Sequence, residues 1–242
     1  MASAVEVKEL AKVMNERIIV DRISFKVEEG ELFGLLGSNG SGKTTTFNML
    51  SGLLPPSSGS IRIMGRDIKE SDFIRMQIGF VTQADSFYDT LTVAENLRYF
   101  ASQFGISSGE TEKRMKKLLG QMRLAEKKDS VAARLSGGMK KRLNMACSLM
   151  HDPKVVFLDE PTVGLDPVVR REVWEVIEAL HSEGKTIILT SHYMDEIERL
   201  CGRVAIMFSG RIVASGTPHE LKERFELKQM EDVFAYLMKP ES

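Results

Sequence analysis

The sequence has 242 residues, which is enough to bury a core as one domain, with or without a subdomain. Apolar residues make up 43% and charged residues 28%, and the formal net charge of −1 gives no basic field that would favour nucleic acid or an acidic membrane surface. The longest apolar runs, at residues 155–158 and 187–189, are strand-sized, so we expect a different chain to cross the bilayer if the protein serves a membrane process.

The cysteines and the amino terminus indicate the compartment. Cys147 and Cys201 lie far apart without the spacing of a metal site, which is typical of a reduced, cytosolic chain. The first ten residues include Glu6 and Glu9 and contain no continuous apolar core, so we do not expect a secretory signal there.

The first third of the chain predicts five strands and one helix. Residues 5–10 and 23–27 alternate apolar and polar positions, as half-buried strands do, whereas residues 32–36 form the nearly continuous apolar run of a strand covered on both faces. The other predicted elements are a helix over 44–54, which ends at a proline pair, and strands over 60–64 and 78–81.

The remainder divides into a helical block and a second strand–helix block. Apolar residues at three- and four-residue spacing predict helices between residues 91 and 150, so we interpret residues 84–153 as an insertion between two halves of a sheet. Buried strands that alternate with helices indicate a largely parallel sheet covered on both faces. The predicted elements from residue 93 onward are helices over 93–105, 110–122, 139–150, 168–182 and 194–201, strands over 155–159 and 186–190, a hairpin of 203–207 and 211–214, and a polar helical tail from 221.

A glycine-rich loop between the strand at 32–36 and the following helix predicts a site for the phosphates of ATP. Glycines let backbone N–H groups turn inward around an anion, and the start of the helix points its positive end at the same place. Lys43 would place a charge on the β- and γ-phosphates, and the Thr44 hydroxyl can ligate Mg²⁺. The alternative is a glycine-rich turn that only begins a helix. The loop consists of Gly37, Ser38, Asn39, Gly40, Ser41, Gly42, Lys43 and Thr44.

Polar side chains follow three predicted strands, at the sheet edge where ligands of open α/β sheets bind. Asp159 and Glu160 end the strand at 155–159, where the first fits a Mg²⁺ partner and the second a group that orients or deprotonates water. A polar turn after a strand is the alternative. His192 follows the strand at 186–190 and could sense a γ-phosphate or could be a surface residue; Gln83 follows the strand at 78–81 and indicates little by itself.

A second glycine turn, Leu135-Ser136-Gly137-Gly138, precedes the helix at 139–150. Its N–H groups and the Ser136 hydroxyl could bind an anion, although no lysine accompanies them. A helix N-cap with a flexible entry explains the same residues equally well.

Together these residues resemble the ATP-binding cassette family, the nucleotide-hydrolysing subunits of membrane transporters. The resemblance covers residues 5–221, and its most specific element is the run from Leu135 to Gly138. It implies an α/β fold: a phosphate-loop NTPase (RecA-like) core with a mostly parallel sheet, an N-terminal antiparallel β subdomain and an inserted α-helical subdomain. It also implies one cassette domain over 1–230, with its core at 1–83 and 154–220 and its helical subdomain at 84–153, and a short helical tail at 221–242.

The resemblance assigns roles to individual residues. The phosphate loop then extends to Thr45, Gln83 reaches Mg²⁺ beside Thr44 and Asp159, Glu160 is the catalytic base and His192 is the switch histidine. Residues 164–166 would link two active sites, because two cassettes meet head to tail and Ser136, Gly137 and Gly138 of one close over the ATP held by Lys43 of the other. ATP and Mg²⁺ are the implied ligands.

The implied partners are a second ATPase subunit, identical or not, and a separate transmembrane permease. The permease would be contacted near Gln83, where Phe87 and Tyr88 are candidate contacts, and would hold the protein peripherally on the cytoplasmic face of the cell membrane. No nucleic-acid partner is expected.

Two positions depart from the family pattern. Met14 occupies the place of the usual adenine-stacking aromatic residue, and a thioether packs on a purine more weakly than an aromatic ring does. Met139 replaces the usual glutamine after the glycines, which resembles the branch that exports drugs, lipids or ions through separate membrane subunits.

Three hypotheses follow. The first is an ATPase subunit of a membrane exporter. The second is a soluble cassette ATPase that acts on nucleic acid or ribosomes, against which the sequence offers no basic extension or coiled-coil insertion. The third is a nucleotide-binding module that does not hydrolyse ATP. The presence of Lys43, Glu160 and His192 argues against this hypothesis.

Overall fold

A computed structural model describes residues 2–238, which form two sheets and nine α-helices. The strands are β1 (Ser3–Met14), β2 (Arg17–Glu28), β3 (Leu32–Gly37), β4 (Ser58–Ile63), β5 (Arg66–Asp67), β6 (Ile78–Val81), β7 (Val155–Asp159), β8 (Thr186–Ser191), β9 (Arg203–Phe208) and β10 (Arg211–Gly216). The helices are α1 (Lys43–Leu50), α2 (Ser71–Gln77), α3 (Val93–Gln103), α4 (Ser108–Gln121), α5 (Gly137–Ser148), α6 (Pro167–Ser182), α7 (Met194–Leu200), α8 (Pro218–Arg224) and α9 (Met230–Leu237).

The larger sheet has the strand order β10-β9-β3-β8-β7-β6, and all of its neighbouring pairs are parallel except β9 with β10. Its central strand β3 is buried along its whole length, because successive side chains point to opposite faces and both faces are covered. Leu32 and Leu36 pack in the core that contains the buried residues of the helices between residues 93 and 200, here called the helical core. Phe33 and Leu35 pack against α1 and the smaller sheet. The predicted α/β fold with a mostly parallel sheet is therefore confirmed.

The smaller sheet is antiparallel, in the order β2-β1-β4-β5. Its strands β1 and β2 each span 12 residues, longer than the alternating segments from which they were predicted. The buried residues of this sheet join the core beneath α1, so the sheet supports the loop that precedes this helix.

Several element boundaries differ from prediction for local reasons. Helix α1 ends at Leu50 rather than at residue 54, since Gly52 has a left-handed φ of +77°. Strand β5 and helix α2 were not predicted; α2 has seven residues and buries only Ile74, so no periodic pattern marks it. In the segment predicted to be a polar tail, α9 buries Met230 and Val233 in the helical core. Residues 239–242 of the predicted tail lie outside the described part of the chain. Within residues 2–238, no helix is both long enough and apolar enough to cross a membrane.

His151, just after α5, connects the helical block to the larger sheet. Its ring stacks on Phe104 with centroids 3.9 Å apart, and its Nε2–H donates to the carbonyl of Ile78 at 2.8 Å. Burial lowers the pKa of His151, the hydrogen bond from its ring to Ile78 opposes that shift, and Nδ1 is buried without a hydrogen-bond partner. Folding therefore favours the neutral ring.

We expect acid to destabilise the protein through His151. Because the pKa of His151 is lower in the folded state, the neutral ring contributes its full share to the free energy of unfolding above the unfolded pKa of about 6.5. As the pH falls from there towards the folded pKa, the free energy of unfolding decreases by at most about 1.4 kcal/mol per pH unit. Urea unfolding between pH 8 and pH 5 should show a shallower acid loss in His151→Gln than in the wild type. His219→Gln, at an exposed histidine, should follow the wild type. Equal slopes in all three proteins would contradict this role.

Candidate functional site

The phosphate loop lies between β3 and α1, and its glycines are required by space and by backbone geometry. A Cβ atom on Gly37 would lie 2.4 Å from Ser41 Oγ and 2.6 Å from the Met207 carbonyl oxygen. Gly42 has a φ of +104°, and a Cβ there would lie 2.8 Å from the Ile19 carbonyl oxygen. A side chain at either position would displace backbone, so these glycines hold the loop close against β2 and β9.

Lys43 is the first residue of α1, and its side chain is only 4% exposed. Its Nζ donates to the carbonyl oxygens of Gly37 at 2.7 Å and Ser38 at 3.1 Å, and lies 3.4 Å from Oε1 of Glu160. Burial lowers the pKa of Lys43, and the charges of Glu160 and Asp159 oppose that shift. The loop thus holds a nearly desolvated cation that faces the acid pair.

Asp159 ends β7 and is 3% exposed. Its Oδ1 accepts hydrogen bonds from Thr190 at 2.7 Å and, over a longer 3.5 Å, from Thr44. Burial raises the pKa of Asp159, while the hydrogen bond from Thr190 opposes the rise. A carboxylate beside a hydroxyl is a set of hard oxygen donors, so Asp159 and Thr44 fit Mg²⁺.

Glu160 adopts a left-handed backbone, with a φ of +48°. Its N–H donates to Thr190 Oγ1 at 2.9 Å, and its carboxylate lies between two groups: Oε1 faces Lys43, and Oε2 lies 3.3 Å from Nδ1 of His192 without hydrogen-bond alignment. A left-handed non-glycine residue costs on the order of 1–3 kcal/mol, and such strain is found where surrounding structure fixes a side chain for a task.

Five predicted residues therefore form one cluster: Lys43, Thr44, Asp159, Glu160 and His192. Gln83 is exposed after β6, its carbonyl accepts from Lys141, and no hydrogen bond or ion pair found within residues 2–238 joins its side chain to the cluster. Met14 ends β1 with 44% of its surface exposed, in the hairpin whose Ile19 contacts Gly42.

The signature loop, residues 135–138, begins α5. Ser136 is the N-cap and accepts from the N–H of Met139 at 3.4 Å, so the capping interpretation describes part of its geometry. Ser136 and Gly137 are exposed, whereas Gly138 is buried against Val169 at the start of α6. None of the hydrogen bonds among residues 2–238 joins this loop to the Lys43 cluster of the same chain.

Gly138→Ala is expected to destabilise the chain. An added Cβ would lie 2.2 Å from Cγ1 of Val169, and a β-branched side chain has few rotamers into which it can move. We expect a loss of about 1–2 kcal/mol in the free energy of urea unfolding, recovered in Gly138→Ala/Val169→Ala. Gly137→Ala is the matched control, because its Cβ would meet only Leu165, at 3.7 Å. Similar losses for both alanine variants would contradict the expected clash.

Sequence reasoning missed three buried polar residues in or next to the segments that carry the cluster: Thr162, Thr190 and Glu196. Thr190 bonds both Asp159 and the N–H of Glu160. A polar residue that ends an otherwise apolar strand could have indicated it. Thr162 and Glu196 bond each other across 34 positions, which no local pattern indicates.

The chain is similar to known proteins in sequence and in fold. Residues 20–163 match the family described as ABC transporter. The chain is 43% identical over 222 residues to Nod factor export ATP-binding protein I of Cupriavidus metallidurans, a match that covers 91% of this chain and 73% of that protein. Among solved structures, it resembles an ATP-binding subunit of an ABC transporter, with a TM-score of 0.87, 31% identity and coverage of 98% and 100% of the two chains. It also resembles a dimeric ATP-binding cassette in a post-hydrolysis state with ADP and Pi bound, with a TM-score of 0.78, 25% identity and coverage of 88% and 98%.

Proposed function

Because the chain belongs to the ATP-binding cassette (ABC) transporter family, whose ATP-binding subunits hydrolyse ATP to drive transport, we propose that it powers an exporter through the cluster around Glu160. The observation that carries this proposal is the buried carboxylate of Glu160, which lies between Lys43 and His192 at the carboxyl ends of β7 and β8. A base in this position can reach a water molecule beside a phosphate held by the loop.

Each residue of the cluster has a part in hydrolysis. Lys43 and the loop N–H groups bind and orient the phosphates. Thr44 and Asp159 would hold Mg²⁺, which when bound would neutralise charge on the phosphoryl group. Glu160 accepts the proton of the attacking water, and His192 lies beside the other oxygen of that carboxylate. Gln83 would complete the Mg²⁺ site after a movement of the segment that follows β6. Met14 would pack on the adenine, next to the phosphate loop.

The proposed active unit is a dimer. Within residues 2–238 of one chain, no hydrogen bond joins the signature loop to the Lys43 cluster, and Ser136 and Gly137 are exposed. A second cassette would bring these residues over the phosphates held by Lys43. The dimeric cassette with bound ADP and Pi that the chain resembles supports this arrangement.

Export through a separate permease is the finer part of the proposal. The relative named for Nod factor export supports it, as does Met139. The permease would bind near the exposed segment after β6, where Tyr88 is 47% exposed and Phe87 packs against the helical core. Nucleic acid as an alternative partner receives no support from the net charge of −1 or from the transport subunits to which the chain is similar.

Purification of the chain from native membranes in mild detergent tests this function. We expect an integral membrane protein to accompany it and the complex to hydrolyse Mg·ATP. Recovery of nucleic acid that salt removes, with no membrane-spanning partner, would contradict the proposal.

A further inference from the structure

Glu196 is an acid that the proposed hydrolysis does not use. It lies on α7 and is fully buried. Its Oε1 accepts from Thr162 Oγ1 at 2.7 Å and from Trp174 Nε1 at 2.8 Å, and its Oε2 is buried without a hydrogen-bond partner. Burial raises the pKa of Glu196, and the hydrogen bonds from Thr162 and Trp174 oppose the rise. Burying a carboxyl group costs more free energy than burying an apolar side chain at the same position. The contacts of Glu196 are therefore better explained by a role other than stability.

Those contacts lead to the strained turn at Glu160. On its amino side the turn is held by Thr190, which accepts the Glu160 N–H. On its carboxyl side the chain reaches Thr162 within two residues, and Thr162 is fixed to Glu196. A left-handed backbone persists only when its surroundings over-determine it, and these two side-chain hydrogen bonds flank the left-handed residue Glu160.

The same junction of α6 and α7 contacts the segment that carries His192. The Arg170 guanidinium lies 4.0 Å from the centre of the Tyr193 ring and 5.2 Å from that of Trp174, and it binds both carboxylate oxygens of Asp195. The Tyr193 ring in turn lies 4.2 Å from the His192 ring. The junction of α6 and α7 therefore contacts both the turn after Glu160 and the segment that carries His192.

We propose that Glu196 is a positioning residue for ATP hydrolysis, which holds the turn after Glu160 through Thr162 so that the Glu160 carboxylate faces the phosphate loop. This inference rests on the proposed role of Glu160. Without the bond to Thr162, the turn can relax towards an ordinary backbone conformation, and the carboxylate then moves away from the phosphate loop. Nucleotide binding is left intact, because the residues that contact phosphate belong to a different loop.

Two variants distinguish a positioning role of Glu196 from a contribution to stability alone. Each removes one of the two hydrogen bonds that Oε1 of Glu196 accepts. Thr162→Val deletes the bond on the catalytic side, and Trp174→Phe deletes the bond on the α6 side. We expect Thr162→Val to lower kcat about tenfold or more, with KM and nucleotide affinity within about twofold of the wild type, because misplacing a catalytic group acts on the chemical step. Trp174→Phe should keep kcat within about twofold. Glu196→Leu, which removes both bonds, should lower kcat as Thr162→Val does. Glu196→Gln should keep kcat near that of the wild type, because an amide oxygen can accept both bonds.

The assay is steady-state phosphate release by the full chain from native membranes, run well below the melting temperature of every variant. Equal losses of kcat in Thr162→Val and Trp174→Phe, or wild-type turnover in Thr162→Val, would overturn the proposal even if Glu196→Leu fails to fold. Glu160→Gln is measured in parallel. If it retains turnover, the proposed role of Glu160 as the base is wrong, and the positioning role of Glu196 is wrong with it; if it abolishes turnover while Thr162→Val does not, only the positioning role is wrong.

Discussion

Glu160→Gln is expected to abolish ATP turnover while leaving ATP binding intact. The amide has the shape of the carboxylate but cannot accept a proton, so the loss should be on the order of 10²–10⁴-fold, the typical contribution of a general base. Lys43 keeps its bonds to Gly37 and Ser38, so the phosphate loop is unchanged. Phosphate release and equilibrium binding of a fluorescent ATP analogue measure the two effects separately.

The same variant should trap the ATP-bound dimer, since hydrolysis is the step that releases it. Size-exclusion chromatography with light scattering should then show a doubled mass with ATP and a single mass without it. Glu178→Gln is the control, because Glu178 is paired with Arg199 on the surface and does not contact the cluster. A monomeric mass at high protein and ATP concentrations would contradict the dimer, and undiminished turnover would remove Glu160 from its proposed role.

The fold was predictable where burial leaves a continuous pattern. Strands β6 and β7 were predicted to the residue, because strands of a parallel sheet that are covered on both faces appear as unbroken apolar runs between polar ends. Helix α2 was missed because one buried residue, Ile74, cannot make a periodic pattern. The packing of α9 into the helical core was missed although Met230, Val233, Phe234 and Leu237 recur at three- and four-residue spacing, because the charged residues that precede them led to the whole tail being interpreted as polar.

The candidate site was predictable to the extent that it is local. The phosphate loop, Asp159 and Glu160 could be proposed because each is a short run at a strand end. The conformation of Glu160 could not, because a left-handed backbone at a non-glycine residue leaves no mark in the sequence. Its support by Thr162 and Glu196 joins residues 34 positions apart, which only the tertiary structure brings together.

Lys43→Ala is expected to weaken ATP binding and abolish turnover. The wild-type loop holds the Nζ with two carbonyl oxygens and a carboxylate, and a bound phosphate would replace one of these three partners of the ammonium group. Removing a buried charge–phosphate contact typically costs 2–5 kcal/mol, which corresponds to a loss of affinity of roughly 30-fold or more. The increase in melting temperature that ATP produces should fall in proportion.

Lys185→Ala provides a matched control for this variant. Lys185 is also a largely buried lysine held by a carbonyl oxygen and a carboxylate, those of Pro153 and Asp152, but it lies at the opposite end of β8 from His192. It should lose some stability in the absence of nucleotide and yet keep the full ATP-induced rise in melting temperature. If Lys43→Ala kept that rise as well, or if both variants lost it, the phosphate contact would not be specific to Lys43. If only Lys43→Ala loses it, together with turnover, the charge at the start of α1 is required for ATP binding, and turnover is lost because ATP is no longer held.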